Sequence, residues 1–405
     1  MNKINAGIID DINKCSFKDE SIDITAIDNI FSAIRVGDLI QILKEFQFLR
    51  ISAYAGCSFR CSYCNPDGLF SGEMMSTNEI IQIILAAHEL GIRTVHFTGG
   101  EPTERNDFVE LVKATKQIGM TTIDVTTNGM NRNMAVTVDG VGYHSMIEAL
   151  QAYGLTGVST SLDTFDPKTM VEIASPKNSD LTGEYILAEI KGAIEKSCVL
   201  FTQQGKLVVN MVVTKKNFHE IVNFIKYAQE MSGRFIPRFC EMQNKGPAYG
   251  DNQNKFHQDY ISREKITQAL ESLGIGNLIE IDKERIDKQN AHAEYFTIGD
   301  DKLIVGLIAP FSQNWPCTKA ECNRIRVGPN GAVNSCLDSP HYCLNGKSYA
   351  DKLEILKQVI YQKIVRILND NWPDTHRTDY LKYRFGIDDK VVLQFAEENE
   401  ASCRK

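Results

Sequence analysis

Apolar positions change period repeatedly along this chain. Phe46–Ser52 reads as a strand. Thr77–Leu90 carries Ile80, Ile83, Ile84, Ala87 and Leu90 at helical spacing, with Ser76 or Thr77 placed to cap its start. The alternation continues with predicted strands at Arg93–Thr98, Thr121–Thr126, Gly157–Ser161, Lys206–Val213 and Phe235–Glu241. Predicted helices lie at Asp107–Ile118, Ser145–Tyr153, Glu184–Lys196 and Phe218–Met231. Successive βα units predict an α/β fold in which a parallel sheet wrapped by helices makes a barrel or partial barrel. In such barrels function collects at the C-terminal ends of the strands.

Outside the alternation, residues 1–45 form an N-terminal extension with one apolar-periodic stretch at Ile27–Ile34, too short for an independent domain. The barrel is expected over residues 46–242. A Gly/Asn/Gln-rich linker, Gln243–Gln258, then leads to a helix, short strands and a second group of cysteines within residues 243–345. Residues 346–405 are expected to hold the amphipathic helix Ala350–Leu368 and a polar tail from Asn369.

Composition narrows the class. A chain of 405 residues with 43% apolar and 24% charged positions is long enough for one large α/β domain plus an accessory region. No apolar run is long enough for a membrane helix, and the start lacks a hydrophobic signal region, so the expectation is a cytoplasmic protein with no membrane partner. A net charge of -8 argues against a nucleic-acid binder driven by phosphate contacts. Eleven cysteines without a secretion signal favour reduced thiols and metal ligation over disulfides.

Three of those cysteines, Cys57, Cys61 and Cys64, follow the first strand in a C-x3-C-x2-C run. That run can ligate three irons of a four-iron cluster and leave the fourth open, although four-cysteine iron–sulfur sites and zinc sites use similar intervals. The second strand ends in Thr98-Gly99-Gly100-Glu101-Pro102, where two glycines allow close backbone approach and a carboxylate can hold an ammonium group. The next strands end in Thr126-Thr127-Asn128-Gly129 and Ser159-Thr160-Ser161-Leu162-Asp163, and the following one carries Asn210. Each segment alone is a common turn or cap, but their ordered recurrence at successive strand ends is not.

This ordered set resembles the radical S-adenosylmethionine superfamily. The resemblance implies a partial (β/α)6 TIM-like barrel with a small C-terminal iron–sulfur (twitch-like) domain. It implies a [4Fe-4S] cluster on Cys57, Cys61 and Cys64, with Tyr63 packing near adenine. Gly99, Gly100 and Glu101 would hold the methionine end of S-adenosylmethionine, and Thr127, Ser161 and Met242 would complete its pocket.

The second group, Cys317, Cys322 and Cys336, has C-x4-C-x13-C spacing with Gly331 before the last cysteine. It suits a second cluster, or a zinc site if Cys343 supplies a fourth ligand. With Phe48-Leu49-Arg50, Val209-Asn210-Met211, Arg238-Phe239-Cys240-Glu241-Met242 and Gly306-Leu307-Ile308-Ala309-Pro310, this segment is similar to the GTP 3',8-cyclases of molybdenum-cofactor biosynthesis. That resemblance implies two [4Fe-4S] clusters with a nucleotide between them. It implies arginines on the triphosphate at Arg50, Arg105, Arg238, Arg324 and Arg326, with Arg324 and Arg326 orienting the nucleotide for catalysis. A flavodoxin- or ferredoxin-type protein would supply the electron.

The chain departs from the cyclase pattern at Val208, in the wider Cys317–Cys322 interval, in an insertion around Asn131–Tyr143 and in its terminal Ser402-Cys403-Arg404-Lys405. These departures bear on the substrate more than on the chemistry. The expectation is a radical enzyme that takes hydrogen from a small anionic substrate, with peptide or metabolite modification as the alternative. A non-catalytic electron carrier is the third reading, but it would need neither the Gly-Gly-Glu-Pro loop nor the polar strand ends.

Overall fold

The computed structural model describes residues 48–64, 73–203, 205–242, 253–272, 278–281, 293–299, 303–308, 324–334 and 342–369. The N-terminal extension, Cys317, Cys322, Cys336 and the polar tail lie outside the described residues. The six expected strands are present as β1 (Phe48–Tyr54), β2 (Thr94–Gly99), β3 (Thr122–Thr127), β6 (Gly157–Ser161), β7 (Leu207–Val213) and β8 (Ile236–Glu241), with the small hairpin β4 (Val136–Val138) and β5 (Val141–Tyr143) between the third and fourth. They lie in the order β1-β2-β3-β6-β7-β8, and every neighbouring pair is parallel.

Helices α1 (Thr77–Glu89), α2 (Phe108–Ile118), α3 (Met146–Ala152), α4 (Pro167–Ala174), α5 (Gly183–Leu200) and α6 (Ile221–Glu230) connect them. The Ser76 hydroxyl accepts the Glu79 N–H at 3.2 Å and so satisfies one of the orphan donors that open α1. Helix α2 stops at Gly119, whose φ of 103° is the left-handed conformation glycine tolerates. Helix α4 was not among the sequence-predicted elements. Asp166 caps it and Pro167 opens it, a short start signal with little apolar periodicity behind it.

The segment after Met242 does not form a sheet of its own among the described residues. Helices α7 (Gln253–Asp259) and α8 (Arg263–Glu271) precede strands β9 (Ile279–Ile281), β10 (Ala293–Ile298), β11 (Leu303–Ile308), β12 (Arg324–Val327), β13 (Ala332–Asn334) and β14 (Tyr342–Cys343). Strand β11 adds parallel to β8, and β12 adds parallel to β1, so the late chain extends both edges of the same twelve-stranded sheet. Antiparallel β10 and β9 finish one edge, and β13 and β14 the other.

The two faces of the sheet differ sharply. On the helix side, Leu49, Ile51, Val95, Phe97, Ile123, Val125, Val209, Met211 and Phe239 are buried. On the other side the alternate residues Arg50, His96, Asp124, Thr126, Asn210, Cys240 and Arg326 keep partial exposure. Because side chains alternate along a strand, this period of two marks a hollow inside the curved sheet, lined by polar groups.

The last helix, α9 (Tyr349–Asn369), packs on α1 through Ile355, Leu356, Val359 and Ile360. Lys352 is wholly buried there. Its Nζ pairs with Glu79 at 2.7 Å and donates to Gln82 Oε1 at 3.0 Å and to the Lys347 carbonyl at 2.5 Å. Lys352→Ala should lower stability by roughly 2–4 kcal/mol, because it strands a mostly buried carboxylate. A urea midpoint that does not move would show that α9 docks through its apolar face alone, whereas partial recovery with Glu79→Gln added would confirm the pair.

Candidate functional site

A register shift between Ser52 and Tyr54, where β1 runs against β2, bends the strand just before the cysteine loop. The loop after β2 then comes very close to it. Gly100 N–H donates to the Tyr54 carbonyl and Glu101 N–H to the Gly56 carbonyl, both at 2.7 Å. A Cβ on Gly100 would lie 2.1 Å from the Gly56 oxygen, and one on Gly99 2.1 Å from the Tyr54 oxygen. Gly99 also has a φ of 146°. Only glycine fits both positions.

That contact carries Glu101 into a fully buried position. Its Oε1 accepts the Thr103 N–H at 3.1 Å, the Thr127 hydroxyl at 2.8 Å and the Thr103 hydroxyl, and its Oε2 accepts the Asn128 N–H at 2.5 Å. Burial raises its carboxyl above the usual range, and Arg132 with these donors opposes the rise. The side chain expected to hold an ammonium group is thus engaged in joining the β2 loop to the β3 loop. Thr127 belongs to the same knot.

The cysteine loop is pinned from three sides. Glu104 Oε1 accepts from Ser58 N–H at 3.0 Å and from the Ser58 hydroxyl at 2.6 Å. Arg60 N–H and Ser62 N–H donate to the Ala174 and Ile173 carbonyls at the end of α4, at 2.9 and 3.3 Å. The Tyr63 hydroxyl donates to Asp163 Oδ2, while Asp163 Oδ1 accepts the Val212 N–H at 2.9 Å. Burial pushes the Asp163 carboxyl up to about 6. Tyr63 also packs against fully buried Met242. Glu104, Asp163 and α4 were not predicted as loop supports, and Asp163 was visible only as the last residue of a strand-end motif.

Cys57, Cys61 and Cys64 are half-buried and form no disulfide with one another. Asn128 Nδ2 and the Phe59 N–H reach Cys57 Sγ at 3.7 and 3.4 Å. Burial pushes the Cys57 thiol up to about 12, with Glu101, Glu104 and Cys64 adding to the rise and the Phe59 N–H opposing it. Burial also pushes the Cys61 thiol well above its ordinary range, with Asp163 and the other two cysteines adding. Among the described residues no three His, Cys, Asp or Glu side chains converge on a point that could hold a single metal ion. A cubane cluster asks for something different, one thiolate on each of three separate irons, and its cationic core is the counter-charge that these buried sulfurs lack. The three residues fit that group.

Deeper in the hollow the expected arginines gather, with one exception. Arg50 and Arg326 are register partners on β1 and β12, and Arg324 pairs with Phe48 and lies 5.0 Å above its ring. Arg50 Nη2 donates to the Thr98 hydroxyl at 3.1 Å. Across the hollow, Arg238 on β8 donates through Nε to Asn210 Oδ1 at 2.7 Å, and its buried Nη1 has no hydrogen-bond partner among the described residues. Gly306 on β11 makes room for its stem. His96 stands among them. Burial first, and then the charges of Arg50, Arg324, Arg238 and Arg326, hold its imidazole well below the ordinary histidine range.

The exception is Arg105. Nε donates to Asp107 at 2.6 Å, Nη1 to the Ala53 and Met75 carbonyls at 2.9 and 3.1 Å, and Nη2 to Thr77 Oγ1 at 2.8 Å and to Asp107 Oδ2 at 3.5 Å. Its donors are occupied in clamping β1 to the start of α1, and the structure does not bring it into the arginine group. Ser161 lies at the end of β6, in register with Asn210.

Residues 51–228 match the family model described as the Radical SAM superfamily. The GTP 3',8-cyclase of Vibrio parahaemolyticus is 28% identical over 304 residues, which cover 74% of this chain and 80% of that protein. The probable GTP 3',8-cyclase of Pyrococcus horikoshii is 29% identical over 322 residues, 77% of this chain and 92% of that protein. Among solved structures, Streptococcus suis SuiB bound to S-adenosylmethionine superposes with a TM-score of 0.52 at 14% identity, covering 78% of this chain and 67% of that chain, a likeness of fold alone. With a cysteine loop that suits a cluster at the mouth of the matching barrel, residues 51–228 carry a radical S-adenosylmethionine domain, and the chain is similar over most of its length to the GTP 3',8-cyclases.

Proposed function

We propose that this enzyme holds a phosphate-bearing nucleotide in the arginine-lined hollow and cyclises it in the manner of a GTP 3',8-cyclase. One observation carries the reading: Arg50, Arg238, Arg324 and Arg326 converge on the same hollow, and Arg238 Nη1 is buried there with its donors unused by the described residues. A buried guanidinium is stable only when its N–H groups are satisfied, and its planar fork matches phosphate oxygens in pairs. The relatives named as GTP 3',8-cyclases make GTP the first substrate to test.

Cys57, Cys61 and Cys64 would hold the first [4Fe-4S] cluster. Tyr63, Gly99, Gly100, Glu101, Thr127, Ser161 and Met242 would shape the wall for S-adenosylmethionine, Glu101 and Thr127 by fixing the loops rather than by their own free donors and acceptors. When bound and reduced by a flavodoxin- or ferredoxin-type donor, this pair supplies a 5'-deoxyadenosyl radical. The chain's own task is to hold the substrate carbon within reach of that radical and to keep water out. Arg324 and Arg326, fixed on β12 beside β1, would set the nucleotide's orientation. Cys317, Cys322 and Cys336, beyond the described residues, would hold a second cluster against the base.

The deciding assay incubates reconstituted, reduced protein anaerobically with S-adenosylmethionine and GTP and follows products by mass spectrometry. GTP-dependent 5'-deoxyadenosine with a cyclised nucleotide is expected. Cofactor cleavage with GTP untouched would move the substrate to another metabolite or a peptide. In the same assay Arg324→Ala and Arg326→Ala should each raise the KM for GTP roughly 10- to 100-fold, the loss of a charge-assisted contact. Uncoupled cofactor cleavage should persist, and an unchanged KM in both variants would remove the anchoring role.

Gly100→Ala tests the loop contact separately. The added methyl meets backbone oxygen and cannot be relieved by a side-chain rotation. The variant should keep its far-ultraviolet circular dichroism but lose most of its S-adenosylmethionine affinity and part of its reconstituted iron. Wild-type iron content together with wild-type affinity would show that the two loops have room to separate.

A further inference from the structure

His96 is the polar residue in the centre of the hollow that the preceding reading leaves without a task. It stands in mid-β2 on the inward face, its Nε2 2.7 Å from the Thr126 hydroxyl and its ring stacked on Phe48 with centroids 5.8 Å apart. No hydrogen bond among the described residues reaches Nδ1. We propose that His96 is a substrate-contacting residue of the anion site, donating from Nδ1 to a phosphate oxygen as an imidazolium that forms only when the anion is present. This rests on the nucleotide reading above. The proton comes from solvent, so binding takes up at most one proton for each site through this residue.

Facing His96 are Arg50 from β1, Arg324 and Arg326 from β12, and Arg238 from β8, all cationic. Asp124 from β3 is its register partner, and its Oδ1 already accepts from the Thr156 hydroxyl at 2.8 Å. The remaining neighbours on the strand, Val95 and Phe97, point to the helices and carry no charge. Burial and the charges of these four guanidiniums together disfavour a further cation at His96. A polyphosphate reverses the sign of that field at the same positions. The surroundings that keep the imidazole neutral then favour its protonation, and Nδ1 has no competing partner to give up. A histidine present only to support Thr126 and Phe48 would not respond to the ligand in this way.

The test is isothermal titration of the reconstituted holoenzyme at pH 6.5 with inorganic tripolyphosphate and, separately, with GTP. Each is run in buffers of different ionisation enthalpy, for wild type, His96→Gln and His96→Asn. Protons exchanged by the phosphates themselves are common to all three proteins, so the difference isolates the imidazole. Wild type should take up more protons than either variant, approaching one. Its affinity for tripolyphosphate should fall roughly tenfold further than theirs between pH 6.5 and 8.5. Equal proton uptake in wild type and in the variants that bind would overturn the proposal, as would binding to wild type without any uptake beyond the ligand's own. Failure of wild type to bind either ligand would remove the anion site and the role of His96 together. Excess uptake on tripolyphosphate with GTP left unconverted would support His96 and discard only GTP as substrate.

Discussion

The site depends on one close contact between two stretches of backbone. The loop after β2 rests on the chain between Tyr54 and Gly56 so tightly that no side chain fits at Gly99 or Gly100. The cysteine loop starts one residue later. The contact therefore fixes where Cys57 emerges, and it also drives Glu101 beneath the surface, where its carboxylate must be satisfied by the β3 loop. Glu104, three residues on, reaches back to Ser58. A single approach, allowed by two glycines, thus joins three strand ends and the cysteine loop into one body. The energetic stake is the usual one for a buried carboxylate. Arg132 and four donors make the charge tolerable, and losing any of them would leave the remainder exposed to the full cost of burial.

The hollow then separates into two levels along the strands. Cys57, Gly99, Thr127, Ser161 and Met242 sit at or just beyond strand ends, the level proposed above for S-adenosylmethionine. Arg50, His96, Arg238 and Arg324 lie within the strand bodies, one level further in. Two of these residues look across a strand pairing that joins the first strand of the barrel to a segment almost three hundred residues away in sequence, Phe48 to Arg324 and Arg50 to Arg326. Parallel pairing at that distance makes the late chain part of the barrel rather than an appendage. It sets the arginines by backbone hydrogen bonds, which is more exact than a loop would allow.

Much of this was legible in the sequence, and the rest was hidden for physical reasons. The six strands and most helices announced themselves because each has one apolar face, and the glycines and cysteines because few residues can do what they do. The edge pairings were not legible. Arg324-Ile325-Arg326-Val327 is a short alternating run whose partner is set by tertiary structure, not by neighbours. Arg105 was read as a phosphate ligand because arginine at a strand end suits one; its contacts to Ala53, Met75, Thr77 and Asp107 are tertiary and could not be read from the sequence. Glu101 was read as a ligand for an ammonium group, and what the sequence did not show is that the same carboxylate also joins the β2 and β3 loops. His96 left only a faint trace, one polar residue between Thr94 and Thr98 on an otherwise apolar strand.

An acidic chain that gathers four arginines in one hollow has placed like charges where water cannot fully screen them. Among the described residues Arg238 donates to Asn210, Arg50 donates to Thr98, and Arg324 lies over the ring of Phe48. On the proposed nucleotide reading, an incoming polyanion would meet all four guanidiniums, and its affinity would come from their combined charge as well as from hydrogen bonds. The same gathering of positive charge, on that reading, is why a histidine, and not a fifth permanent cation, suits the centre of the group. A side chain that stays neutral in the empty hollow adds nothing to the repulsion, and it adds its charge when the ligand has changed the sign of the field.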